Sequence, residues 1–145
     1  MLLRNLPTRV ATGAFVLHAG LGKWKGGPEQ AAGMHGMAAA AIPPLGAIQP
    51  PTFLKLLSAG EVATGALLLA PFVSNRRAGL ALTAFSGGLM ALYARTPSMR
   101  EPGSIWPSQA GMGVAKDVWM LGIGLGLLLD PAKRTPKSAP GTTAS

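Results

Sequence analysis

Glu61 stands inside a stretch that otherwise reads LLSAGEVATGALLLAPFV (56–73), long and apolar enough to cross a bilayer. A charged side chain at the centre of a membrane helix disfavours insertion by roughly 2.5–3.5 kcal/mol on translocon scales. Such a carboxylate persists beside a partner charge, in its protonated form, or against a water-filled cavity. The chain is therefore expected to be a membrane protein with polar groups in its interior. Glu61 names no reaction, and architecture is more legible in this sequence than activity.

Composition agrees. Charged residues make up 12% of the chain, about half the ~25% of soluble domains. The net charge of +8 raises nucleic acid as a partner, but the positions of the basic residues exclude it. They lie in small groups between apolar stretches: Arg4 and Arg9, Lys23 and Lys25, Arg76 and Arg77, Arg95 and Arg100, then Lys133, Arg134 and Lys137. No basic face with interleaved aromatic residues emerges. With no cysteine in the chain, disulfides, thiol redox chemistry and thiolate metal sites are excluded within it. His18 and His35 lack i, i+4 spacing, so no metal site is expected.

Four apolar segments approach the ~20 residues a spanning helix requires. They cover about 7–24, 53–73, 78–94 and 111–129. The first resembles a signal peptide but ends in Gly22-Lys23-Trp24-Lys25, without a small-x-small cleavage site, and reads as an uncleaved helix. The expected fold is all-α: a four-transmembrane-helix bundle over residues 1–130, followed by a polar, disordered tail over 131–145. Between the first two spans lies a long irregular connection. Its Ala/Met/His-rich patch (31–41) predicts a short interfacial or re-entrant helix before Pro43-Pro44 and Pro50-Pro51. One membrane face collects Arg4, Arg9, Arg76, Arg77, Lys133, Arg134 and Lys137, against Lys23, Lys25, Lys55, Arg95 and Arg100 on the other. The positive-inside rule then places both termini in the cytoplasm of a multi-pass cell-membrane protein.

At 1.5 Å per residue, His18, Glu61, Lys116 and Asp117 fall roughly 8–12 Å below the same membrane face. The sequence predicts that they form a buried polar layer, most simply held by a Glu61–Lys116 ion pair, the alternative being a functional polar pocket. Ser58, Glu61, Thr64 and Gly65 share one strip of the second helix. Ala11, Ala14, His18 and Gly22 share one of the first, Thr83, Gly87 and Ala91 one of the third, and Gly122 and Gly126 one of the last. Trp24, Tyr93 and Trp106 read as interfacial anchors. His35 reads as a surface-loop residue.

In order and spacing, several of these pieces resemble the DoxX-like family of small four-helix membrane proteins. The similarity covers roughly 9–129. It comprises Arg9 with the ending HAGLGKW (18–24), the approach IPP (42–44), the stretch EVATGALLL (61–69), the basic turn Arg76-Arg77-Ala78, and Lys116 opening an apolar last helix. Carried over by position are Arg9, Lys23, Glu61 and Lys116, as pattern residues with no catalytic role attached. The resemblance implies an accessory subunit of a redox- or stress-related membrane complex, not catalytic on its own, with a redox-enzyme or membrane-complex partner in the lipid bilayer. The enzyme-class alternative is a quinone-reactive oxidoreductase subunit, with quinone as the cofactor and the Glu61 layer as its head-group site. A small-molecule transporter is the third reading, weakened by the absence of an internal repeat.

Overall fold

The computed structural model describes residues 3–130; the tail expected over 131–145 lies outside the described residues. Among the described residues the chain is all-helical and contains no β-strand, only an isolated bridge between Arg100 and Pro107. The α-helices in chain order are α1 (Leu6–Trp24), α2 (Pro28–Ala41), α3 (Pro50–Leu69), α4 (Asn75–Arg95), α5 (Met112–Ala115) and α6 (Asp117–Leu129).

Local chemistry sets several boundaries differently from the hydropathy reading. α3 starts at Pro50, three residues early, because the missing proline N–H is not needed in a first helical turn. It stops at Leu69, well short of 73, because Pro71 disfavours a helical conformation at Ala70, which is extended (φ −68°, ψ 115°). α4 starts at Asn75 because the Ser74 hydroxyl caps it, accepting the Arg77 N–H at 3.4 Å. The last apolar segment is broken at Lys116 into α5 and α6. The 25–52 connection carries the 14-residue α2 and a 3₁₀ turn at Pro43–Ala47.

Among the described residues, two helices are long and apolar enough to cross a bilayer: Pro50–Leu69 and the combined Met112–Leu129. α1 and α4, of 19 and 21 residues, match them in length. The helices form two antiparallel pairs, α1 on α3 and α4 on α6, with α3 and α4 joining the pairs. Each seam depends on glycine at its closest approach. A Cβ on Gly65 would lie 2.6 Å from the Leu17 backbone nitrogen, and one on Gly79 would lie 2.5 Å from that of Leu128.

The expected small-residue strips fare unequally. Ser58, Glu61, Thr64 and Gly65 are all buried, whereas Ala11, Ala14, His18 and Gly22 are all exposed. α1 instead buries Arg9, Gly13, Val16 and Gly20. A shift of two residues turns a helix by about 200°, so the chosen strip is the opposite face. For the same reason α6 buries Gly124 and exposes Gly122 and Gly126. On α4, Thr83 and Gly87 are half-buried and Ala91 is exposed.

Arg9 holds one end of the bundle together. Its side chain is fully buried and donates five hydrogen bonds. Nε donates to the Leu68 carbonyl (2.8 Å), Nη1 to the Val73 carbonyl (2.8 Å) and Asn75 Oδ1 (3.0 Å), and Nη2 to the Leu67 and Ala70 carbonyls (2.9 Å each). Carbonyls at a helix C-terminus lack intrahelical partners and carry partial negative charge, so a planar five-donor cation caps this end of α3. The network continues outward. Asn75 Nδ2 donates to Asp130 Oδ2 (3.0 Å), Asn5 Nδ2 donates to the same oxygen (2.6 Å), and Arg4 pairs with Oδ1. The hydrogen bond from Asn75, supported by those from Arg4 and Asn5 and by the charge of Arg4, holds the Asp130 carboxyl below the usual carboxylate range against the opposing effect of desolvation. Segments from α1, α3, α4 and α6 thus meet at one polar knot. The apolar cluster of Leu68, Val73, Ala78, Leu82 and Leu127 packs near this end, and the opposite half of the bundle holds a cavity.

Candidate functional site

The second charged centre is Lys23 with Glu61. Gly20 and Lys23 are three residues apart on the face of α1 that packs on α3. Helical side chains lean toward the N-terminus, so a lysine in the last turn of α1 directs its ammonium back into the bundle. Nζ lies 2.9 Å from both Glu61 carboxylate oxygens. Glu61 is 6% exposed. Beside it, Ser58 Oγ donates to the Gly20 carbonyl at 2.7 Å, holding α1 and α3 in register around the pair.

This pair lines a cavity of about 440 Å³ between the two helix pairs, covered by α2 and the segment around Met99. Asp117 enters the same cavity at the start of α6, opposite Lys23 and Glu61. The remaining walls are apolar, including Phe15, Phe53, Phe85, Met34, Met37 and Leu89. The volume lies in the range of small-molecule sites, which combine apolar walls with a few convergent polar groups. The arrangement can hold an apolar body and anchor one polar end. Among the described residues no cluster of three or more potential metal-ligating side chains occurs.

The structure brings together two members of the expected layer, Glu61 and Asp117, and separates the other two. His18 is exposed on the outer face of α1. Lys116 is exposed as well and lines a different groove of about 630 Å³, with Tyr93, Trp106 and Trp119. Adjacent helical residues point about 100° apart, so Lys116 and Asp117 do not both face the cavity, and Asp117 takes that place. The expected Glu61–Lys116 pair is therefore replaced by Glu61–Lys23. Lys23, carried over by family pattern alone, was the missed half of the charged centre; its spacing from Gly20 was the available signal.

Tyr93 and His35 depart from expectation, whereas Trp24 keeps an exposed position. Tyr93 is buried and donates from its hydroxyl to the Ile105 carbonyl at 2.8 Å, pinning the 100–111 loop. Trp24 is exposed, with the Lys55 ammonium 4.3 Å from its ring centroid. His35 lies on α2, not in a loop, with Nε2 3.0 Å from the Leu45 carbonyl oxygen and its ring edge-on to Phe53.

Among the described residues the geometry defines an all-helical fold with a largely apolar cavity and a buried ion pair in its wall. No family model, characterised protein or solved structure matches the chain. The DoxX-like resemblance therefore rests on the sequence pattern alone.

Proposed function

We propose that the chain is a small multi-pass membrane protein of DoxX-like type that binds an apolar small molecule by a polar end. In this reading α1, α3, α4 and the α5–α6 segment all cross the bilayer, with both termini cytoplasmic. The reversed polarity of the bundle supports this. Leu56, Leu80, Val118 and Leu125 are exposed on outward faces, while Arg9, Ser58, Glu61, Asn75 and Ser86 are buried. Lipid stabilises such a surface; water does not. The binding role is carried by one observation, the Lys23–Glu61 pair set in the wall of the apolar cavity. Its setting suits an accessory subunit of a redox- or stress-related membrane complex, presenting a bound molecule to a partner. A quinone is the second occupant to consider, because Lys23 is the one cation among the described lining residues able to donate to a quinone carbonyl.

The absence of cysteine makes topology directly measurable. Gln30→Cys and Gln109→Cys should react with a membrane-impermeant maleimide on intact cells, and Arg76→Cys only after lysis. Equal labelling of all three on intact cells would overturn the multi-pass reading. Occupancy tests the cavity. Protein extracted into nanodiscs should release a bound apolar compound near one per chain. Gly113→Phe, at a cavity position where an added Cβ meets open space, should remove it while the protein still elutes as a single folded species. Identical extracts from the two proteins would count against a ligand site.

A further inference from the structure

Among the described residues, the charges lining the cavity do not balance. Lys23 Nζ is engaged by both oxygens of Glu61, and that pair is neutral as a unit. Asp117 lines the same space as Lys23 and Glu61. Among the described residues nothing donates a hydrogen bond to its carboxylate, and no second cation reaches the cavity. Lys116 lies on the outer groove, Lys55 over Trp24, and Arg100 in the loop beside Pro102. One ammonium and two carboxylates leave one net negative charge on the described lining of a largely apolar cavity, where even a half-buried charge without a partner is costly. Three phenylalanines, Phe15, Phe53 and Phe85, line the same cavity. Aromatic faces attract cations and present no donor to an anion.

We infer that the cavity selects a lipophilic monovalent cation, such as a hydrophobic ammonium or phosphonium, with Asp117 as its counter-ion and the phenylalanine rings around its apolar body. The inference rests on the ligand-binding reading above and names the class of ligand. A neutral occupant leaves the Asp117 charge unbalanced, and an anion adds to it. Glu61 is already neutralised by Lys23, so the selecting group is Asp117.

Three probes decide it: tetraphenylphosphonium, tetraphenylborate of similar size and opposite charge, and neutral triphenylphosphine oxide. Binding to the native protein in nanodiscs is measured by equilibrium dialysis against protein-free nanodiscs. The cation should bind at least about tenfold more tightly than the neutral probe, as expected for a desolvated charge pair, and the borate no better than to lipid alone. Asp117→Asn should remove that about tenfold preference with the affinity for the neutral probe retained, and Asp117→Glu should restore it. The sign preference of the native protein needs no variant, so a misfolded Asp117→Asn leaves the test intact. Equal binding of cation and neutral probe, both abolished by Gly113→Phe, would overturn the cation inference and leave the cavity reading standing. Binding of no probe above protein-free nanodiscs would bring down both.

Discussion

Arg9→Leu should abolish accumulation of folded protein in the membrane fraction, or lower the detergent melting temperature more than Lys23→Met does. Five donors are lost at once from the end of α3, leaving buried carbonyls of Leu67, Leu68, Ala70 and Val73 and the Asn75 amide oxygen without this partner. Each buried group left unsatisfied costs about 1–3 kcal/mol, and although the Ala70 carbonyl keeps the Val73 N–H as a donor, the losses together reach or exceed the ~3–5 kcal/mol typical of breaking a buried charged pair. Arg9→Lys should recover only part of the loss, because an ammonium has three donors and cannot present the planar fork. Arg76→Ala, at an exposed position in the neighbouring turn, should change stability by no more than about 0.5 kcal/mol. Melting by size-exclusion chromatography in detergent ranks the variants. Equal midpoints for Arg9→Leu and Arg76→Ala would refute the role of Arg9 as the cap of α3.

Hydropathy made the helical class legible because long apolar segments bounded by arginines and prolines have few alternative folds. It made the small-polar strip of α3 legible too, since Ser58, Glu61, Thr64 and Gly65 repeat at three- and four-residue steps. Rotation was harder to read. On α1, the strips containing Gly13 and Gly20 or Ala14 and His18 both have small residues at helical spacing, and only contact with α3 distinguishes them. The inward bonding of Arg9 and Lys23 was missed for a related reason. Each lies near the end of an apolar helix, where a basic residue ordinarily marks a membrane flank. In the fold each turns inward, Arg9 to the carbonyls at the end of α3 and Lys23 to Glu61. Long side chains displace their charge from the backbone position that carries it, so depth counted along the helix did not locate the ammonium or the guanidinium. The choice between Lys116 and Asp117 also depended on the break between α5 and α6, which hydropathy does not register.

Lys23→Met should destabilise the protein by about 3–5 kcal/mol, because it leaves the Glu61 carboxylate buried without its cation. Glu61→Gln should cost less. The Lys23 side chain is 19% exposed against 8% for Glu61, and a long lysine stem can carry an unpaired ammonium toward the interface. This asymmetry separates a buried ion pair from two independent polar contacts. The double variant Lys23→Met with Glu61→Gln should be more stable than Lys23→Met alone, since removing both charges removes the uncompensated one. Melting midpoints in one detergent, completed as a double-mutant cycle, give the coupling. Losses that simply add would show that the two side chains do not depend on each other, and the charge balance that leaves Asp117 as the cavity's unmatched anion would then fail, because Glu61 could no longer be counted as neutralised.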